Sequence, residues 1–391
     1  MKYRFLKRHS LLAMLMINAG LANAAVDISG FASAGYVVSD SDATFISASD
    51  VISESASFGA DNTLGFQISA DINKQTTVGA QLLAKGTVDS YSVAAQWAYV
   101  GFNLSDDVSA RMGRLNFPAT LYSEYQEIGI SYPWVRPPIE VYTVLPLATY
   151  SGLDLFYSFG DDQLEWLIQP FLGSSPEFNS VGGRGEVNLV YGATLIANFE
   201  NGRLSFTATQ ADGVGFLFST GGVDLSLNID MTFLSAGFEY EQNNIVLIAE
   251  LVNKDIHNNS QGDIRTVSDM MAGYITLGYR LGDFLPHFTY SDTQSDHQSA
   301  FFPAGSALPS PPPQGIPAEF WLAPQDMVVP GNAELILQKS YTLGLRYDFS
   351  SQTTLKMDYQ KIIPDDNSWG VFYSDPGDEV NLLSFVVDVV F

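Results

Sequence analysis

The chain has 391 residues, 18 Lys+Arg against 43 Asp+Glu, a formal net charge of −25 and no cysteine. That balance excludes a nucleic-acid binder, which needs a basic footprint, and the missing thiols exclude disulfide scaffolds, thiolate zinc sites and cysteine nucleophiles. Only 16% of residues are charged while 13% are aromatic and 33 are Gly, so several soluble domains with Lys- and Glu-rich surfaces cannot be built, and a single membrane barrel fits better.

In chain order, Lys2, Arg4, Lys7 and Arg8 precede an apolar run from Leu11 to Ile17, shorter than the ~20 residues of a spanning helix. Ala22-Asn23-Ala24 then supplies the small residues of a cleavage site, so residues 1–24 read as a secretory signal peptide and 25–391 as the mature domain. After Ala24 every apolar stretch is interrupted by polar residues well short of the roughly 18 positions that would signal a membrane helix. Export without helical insertion leaves periplasm, exterior or outer membrane.

The rest of the chain alternates with period two, the signature of strands. Leu204, Phe206 and Ala208 alternate with Arg203, Ser205 and Thr207, and Leu234, Ala236, Phe238 and Tyr240 with Ser235, Gly237, Glu239 and Glu241. Tyr341 to Phe349, Leu355 to Tyr359 and Asn381 to Phe391 repeat the pattern. Alternation alone fits a soluble sandwich as well as a membrane barrel; connection lengths decide. Short polar turns fall near Asp71-Lys74, Ser105-Asp107, Gly160-Asp162, Glu200-Gly202, Gln242-Asn244, Gly282-Asp283 and Ser350-Gln352. Between them lie longer connections at about 38–60, 87–91, 116–148, 173–184, 211–222, 255–266, 293–337 and 363–379. Strict alternation of seven short turns with eight longer loops predicts an all-β, closed, antiparallel barrel of sixteen strands, each about 9–12 residues long. A barrel of that size leaves room for an aqueous channel. Phe102, Tyr157, Phe159, Phe199, Tyr240, Tyr279, Tyr347, Phe349 and Phe391 gather near the short turns, as an interfacial girdle would.

On these features the chain resembles the Gram-negative outer-membrane general porins over essentially its mature length. The motifs are Trp97-Ala98-Tyr99-Val100-Gly101-Phe102, a short turn, and Arg111-Met112-Gly113-Arg114 directly before the third long connection; the other is the terminal Val387-Val389-Phe391 alternation. The resemblance implies a homotrimer of water-filled channels in the outer membrane, short turns on the periplasmic side, and a third loop, here 116–148, folded into each pore. It also implies wall arginines facing loop carboxylates across the constriction, with Glu124, Glu127 and Glu140 as the acidic candidates, and Phe391 as a signal to the outer-membrane assembly machinery. The loop departs from the family's acidic Pro-Glu-Phe-Gly-Gly type of tip, reading Tyr132-Pro133-Trp134-Val135-Arg136-Pro137-Pro138 instead.

Arg111 and Arg114 are three apart, so alternation sends only one inward unless a bulge intervenes. Parity with Ser109 and Gly113 favours Arg111, family position favours Arg114, and both stay candidates with Arg136 on the loop. Arg203, Arg280, Arg346, Lys356 and Asp358 have lumen parity and are expected in the pore wall, with Asp154, Glu165, Glu186, Glu239, Glu250 and Asp348 as further acidic lumen positions. Trp134 among three prolines is a stiff segment, read either as a stacking surface for a sugar-like or aromatic solute or as a loop lying against the wall. Loop 293–337 carries eight of the eighteen prolines and neither Lys nor Arg, and is expected at the cell surface. Loops 38–60, 293–337 and 363–379 hold no basic residue, which predicts a cation-enriching mouth and a surface that meets lipopolysaccharide through divalent ions. No cofactor or fixed metal site is expected. The function read here is passive diffusion of ions and small hydrophilic solutes, with a substrate-selective channel second and a barrel enzyme, drawing on His257, His287 or His297, third.

Overall fold

In a computed structural model, the structure describes residues 26–391 apart from 47–50, 53–55, 87–90, 146, 181–182, 221–222, 260–268, 296–335, 366–367 and 373. Residues 1–24, read from sequence as a signal peptide, and most of loop 293–337 lie outside the described residues. Sixteen strands form one closed antiparallel barrel. They are β1 (Val26–Ser39), β2 (Thr63–Asp71), β3 (Thr76–Gly86), β4 (Tyr91–Asn103), β5 (Val108–Asn116), β6 (Thr149–Asp161), β7 (Leu164–Ser180) and β8 (Gly183–Phe199). The circuit continues with β9 (Gly202–Thr220), β10 (Val223–Gln242), β11 (Ile245–Asn259), β12 (Met270–Tyr279), β13 (Phe284–Ser295), β14 (Gln338–Ser350), β15 (Thr353–Pro364) and β16 (Val380–Val390). Neighbours in sequence pair around the wall, and β1 closes it against β16 with Phe31 opposite Val390 and Ser39 opposite Leu382. No strand edge is left open, which satisfies backbone groups where water is absent.

The alternating sequence becomes two surfaces. On β12, Met271, Ile275, Leu277 and Tyr279 point out and are exposed, while Met270, Ala272, Tyr274 and Thr276 point in and are buried. Phe206, Leu234, Leu251, Phe288, Leu343 and Val387 continue the apolar exterior on other strands. Near the short turns the aromatics stack: Tyr157 on Phe159 and Phe159 on Trp166, Phe199 on Phe238 and Phe238 on Tyr240, and Phe284 on Tyr347. Stacked aromatics in a band beside the short turns are the arrangement expected of an interfacial girdle.

Two features differ from expectation. Strands run from 9 to 20 residues rather than 9–12, because pairing continues through two segments that read as loops. Residues 173–180 and 211–220 continue their strands as tall hairpins, with Ser180 opposite Gly183 and Thr220 opposite Val223. Bulges also reset the alternation: register shifts between Gly185, Val187 and Val190 turn both valines inward although they are three apart. The shift between Ala211 and Val214 does the same on β9.

At the end that carries the long connections, the base of loop 1 (38–60) is tied to β16 where the Asn381 N–H and Nδ2 donate to Asp40 at 2.7 Å each. Partial burial pushes the Asp40 carboxyl up, but these hydrogen bonds outweigh it and hold it below its ordinary value. Above this point Val37, Ala43, Ile52 and Ala60 pack with Ile362, Val371, Phe372, Val380 and Leu382, so loops 1 and 8 form one apolar cap over the β16–β1 seam.

Candidate functional site

Residues 117–148 leave the top of β5 and fold into the barrel. The segment is unusually apolar for a loop, and its apolar side chains dictate where it lies. Phe117, Leu121, Tyr122, Tyr132, Trp134, Val141, Val144 and Leu147 are buried against an inward wall of Tyr150, Phe171, Val187, Val190, Ala211, Val214, Ile229, Met231, Phe233, Ile248, Val252 and Tyr274. Fully burying side chains such as Phe117, Leu121 and Val141 contributes roughly 1.5–3 kcal/mol each, enough to offset the entropy of ordering a long segment at about 1–2 kcal/mol per residue only when polar anchors assist.

Those anchors run around the wall. Thr194 Oγ1 donates to Pro118 O at 3.0 Å and Ser235 Oγ to Ala119 O at 2.6 Å. Glu250 accepts the Leu121 N–H at 2.7 Å and the Tyr142 hydroxyl at 3.2 Å. Arg346 Nη1 donates to Ile130 O and Tyr132 O at 2.8 and 3.1 Å, Lys356 Nζ donates to Gly129 O, and Asp358 accepts the Val135 N–H at 2.7 Å. Trp134 is 1% exposed, with its Nε1 donating to Thr289 at 2.8 Å and Thr276 at 3.1 Å. It is a wall anchor, and no face of it is open for stacking a solute. The short helix α1 (Ile139–Tyr142) is fixed by Glu140, which is 0% exposed and accepts from Gln338 at 2.6 Å, Ser340 at 2.7 Å and Ser291 at 2.8 Å.

The wall and loop residues expected at the constriction therefore divide. Arg111 enters the lumen: it is 2.6 Å from Asp154 and 3.1 Å from Glu124, with the Tyr99 and Phe156 rings against its guanidinium. Arg114 lies on the opposite face, exposed, beside outward Met112 and Leu153, with its Nε donating to Gln96 O at 3.1 Å. Pairing of β5 with β4 and with β6 runs without a register shift, so no bulge brings both arginines inside. Gly113 between them has φ +151, and a Cβ there would meet the Ala98 carbonyl and Tyr99 Cα, which is the physical content of the Gly-Arg pair. Glu127 is 2.6 Å from Lys85 on β3, and Arg136 is 2.8 Å from Asp61 before β2, with Ser384 accepting from its guanidinium.

Of the expected pore-wall residues, Arg203 pairs with Glu239 at 3.0 Å beneath the Tyr122 and Tyr125 rings, and Arg280 joins Glu241 and Asp348 near a short turn. Arg346 holds Asp348 at 2.7 Å as well as the loop, while Lys356 and Asp358 are buried beneath the loop, Lys356 lying 2.9 Å from Asp388. Glu140, Lys356 and Asp358 thus hold the loop rather than facing open water. Phe391 sits on the outer face, its ring edge-on to Phe66 and its N–H donating to Gly30 O at 2.9 Å. Asp61, Lys85 and Asp388 were not singled out from sequence; Lys85 and Asp388 share parity with buried Gln81 and Ser384, a usable signal, whereas Asp61 lies in a loop and has none.

Between loop 3 and the wall of β1–β3 and β14–β16 a cavity of about 170 Å³ remains, lined by Asp61, Thr63, Lys85, Glu127, Arg136 and Gln360 among others. Among the described residues no group of His, Asp and Glu is placed to hold a metal ion.

A sixteen-stranded barrel with an apolar exterior and a loop packed into its lumen has the fold of the Gram-negative outer-membrane porins. Solved structures with this fold include an anion-selective porin from Comamonas acidovorans (12% identity, TM-score 0.58, covering 94% of this chain and 100% of that one). OmpF of Salmonella typhi, in complex with daunomycin, matches at 15% identity and TM-score 0.56 over 94% of this chain and 97% of that one. OmpT, an outer-membrane protein of Vibrio cholerae, matches at 13% identity and TM-score 0.58, again over 94% and 97%. No protein-family model and no curated protein matches the chain.

Proposed function

We propose that the protein is an outer-membrane porin, a water-filled channel for passive diffusion of ions and small hydrophilic solutes, with weak cation selectivity. The observation that carries this reading is loop 3, stitched to the wall through buried side chains yet leaving a cavity in the lumen with charged and hydroxyl groups on both sides. Selectivity follows from charge: Asp42, Asp365, Asp375, Asp378 and Glu379 are exposed at the mouth, and the chain has 43 acidic against 18 basic residues. A negative entrance raises local cation concentration, less so as salt rises. The reading assigns no catalysis: His287 is buried beneath the loop and His257 is 2.8 Å from Thr232.

For assembly the reading is a homotrimer. On the outer face of β1, β3 and β4 the small Ala32, Ala34, Ala80, Ala95 and Ala98 stand among larger Leu82, Val93 and Val100, and Arg114 beside Ala98 is better accommodated against protein than against lipid, where it costs roughly 2–4 kcal/mol at the midplane. Phe391 is assigned to recognition by the outer-membrane assembly machinery, and the exposed loop carboxylates to lipopolysaccharide bridged by divalent ions.

Purified protein in a planar bilayer tests the function. A KCl gradient is expected to give a reversal potential of the sign for cation preference that shrinks at high salt; a potential of the opposite sign would reverse the assigned selectivity.

A further inference from the structure

Two ion pairs bridge loop 3 and the wall at the lumen cavity in opposite senses, and on the channel reading this cavity is the passage. At one, loop 3 supplies the anion and the wall the cation: Glu127 with Lys85 on β3, 2.6 Å. At the other, loop 3 supplies the cation and the wall the anion: Arg136 with Asp61, 2.8 Å, with Nη2 donating to the second carboxylate oxygen at 3.1 Å. All four side chains line the same cavity of about 170 Å³, with Thr63, Thr143 and Gln360 as neutral polar neighbours and Tyr132, Pro137 and Pro138 as apolar ones. Each of the four retains partial side-chain exposure, from 8% for Asp61 to 26% for Lys85, so a solute in the passage reaches them.

A solute that widens this passage must loosen one of the pairs, and the chemistry of the solute decides what that costs. A neutral molecule leaves both ions of an opened pair without a charged partner, and a singly charged one compensates only one of them. A solute carrying an ammonium and a carboxylate compensates both: its carboxylate takes the Arg136 or Lys85 cation while its ammonium takes Asp61 or Glu127. Because the pairs run in opposite senses, the passage offers a cation and an anion on each wall, and a zwitterion finds partners in either orientation. The volume, below the roughly 300–1,000 Å³ of pockets for drug-sized ligands, fits solutes of amino-acid size.

Resting on the channel reading, we propose that Asp61, Lys85, Glu127 and Arg136 make the passage selective for small zwitterions, amino acids and very short peptides, over neutral solutes of equal size.

The test uses two isomers, L-alanine and L-lactamide, equal in mass and differing in charge distribution, as permeants in swelling assays of vesicles containing the full-length protein. The alanine-to-lactamide rate ratio is expected to exceed unity by roughly two- to fivefold, the range a partly exposed ion pair is worth. Neutralising a pair in the doubles Asp61→Asn/Arg136→Gln and Lys85→Gln/Glu127→Gln should lower it toward unity, and the exchange Asp61→Arg/Arg136→Asp should retain it. Folding of each variant is read from its heat-dependent gel mobility, and the Lys85/Glu127 double carries the test if the Asp61/Arg136 variants do not fold. A wild-type ratio at or below unity, or a ratio that survives in both neutralised doubles, overturns the proposal. Entry of neither isomer through folded protein overturns the channel itself and this inference with it.

Discussion

At the scale of single residues, the pair Arg111 and Arg114 shows what one backbone position decides. Uninterrupted pairing on both sides of β5 keeps strict alternation, so Arg111 joins Asp154 and Glu124 in the lumen and Arg114 faces outward. Asp154 is 0% exposed and would lose its charged partner if Arg111 were removed, keeping the 3.0 Å hydrogen bond from Gln169. Breaking a buried pair from one side costs about 3–5 kcal/mol, and partial exposure of Arg111 puts this case at the low end. Arg111→Ala is therefore expected to lower barrel stability by about 3 kcal/mol and to move the reversal potential in a KCl gradient toward stronger cation preference. Arg114→Ala should leave that potential in place and weaken subunit association, read by cross-linking in membranes. An Arg114→Ala channel with altered ion preference would contradict its placement.

Loop 3 is the element on which function turns, and its register rests on a few anchors. Trp134 fills the centre of the apolar cluster, with the Tyr122, Tyr132 and Tyr274 rings around it. Replacing a buried Trp by Ala costs about 3–5 kcal/mol, so Trp134→Ala should detach the segment and give a larger, noisier conductance. Trp134→Phe keeps the ring contacts and loses only the N–H, and Thr276 and Thr289 still bond each other at 2.7 Å, which limits the cost to about 1 kcal/mol. Glu140→Ala removes the acceptor for Gln338, Ser340 and Ser291 and leaves buried donors unpaired, at about 1–3 kcal/mol; protease cleavage within loop 3 of the folded barrel should accelerate. Unchanged cleavage would show that apolar packing alone holds α1.

The sequence was most informative where one physical constraint acts on many positions together. Period-two alternation and the segregation of short from long connections gave the closed sixteen-stranded topology, since lipid outside and closure inside act on every strand. It was least informative where tertiary context decides. Bulges at Val187–Val190 and Ala211–Val214 break parity and produce an apolar inner wall, which is invisible without the register. The parity of Lys356 and Asp358 pointed inward correctly, yet only the fold shows that loop 3 covers them. Asp61 and Arg136 are 75 positions apart, and no local spacing signals their meeting.

On the scale of the whole molecule, the acidic excess, the scarcity of charge and the aromatic content are consequences of one architecture. The exterior is apolar, carboxylates gather at the mouth, and Lys85, Arg111, Arg136, Arg203 and Lys356 are engaged by wall or loop carboxylates, while Lys254 rests on the Met270 sulfur at 3.2 Å. Selectivity then depends on long-range charge at the entrance, so cation preference should fall steadily as KCl rises from about 0.1 M, where the Debye length is about 10 Å, to about 1 M, where it is about 3 Å. A preference independent of salt would place its origin at a specific site inside the pore. The most direct test of the account is single-channel conductance of the purified, folded protein in a planar bilayer, wild type beside Trp134→Ala. Discrete ohmic steps that grow larger and noisier in the variant are predicted; folded barrels that carry no current, or steps of identical size and noise in both proteins, would contradict a channel narrowed by loop 3.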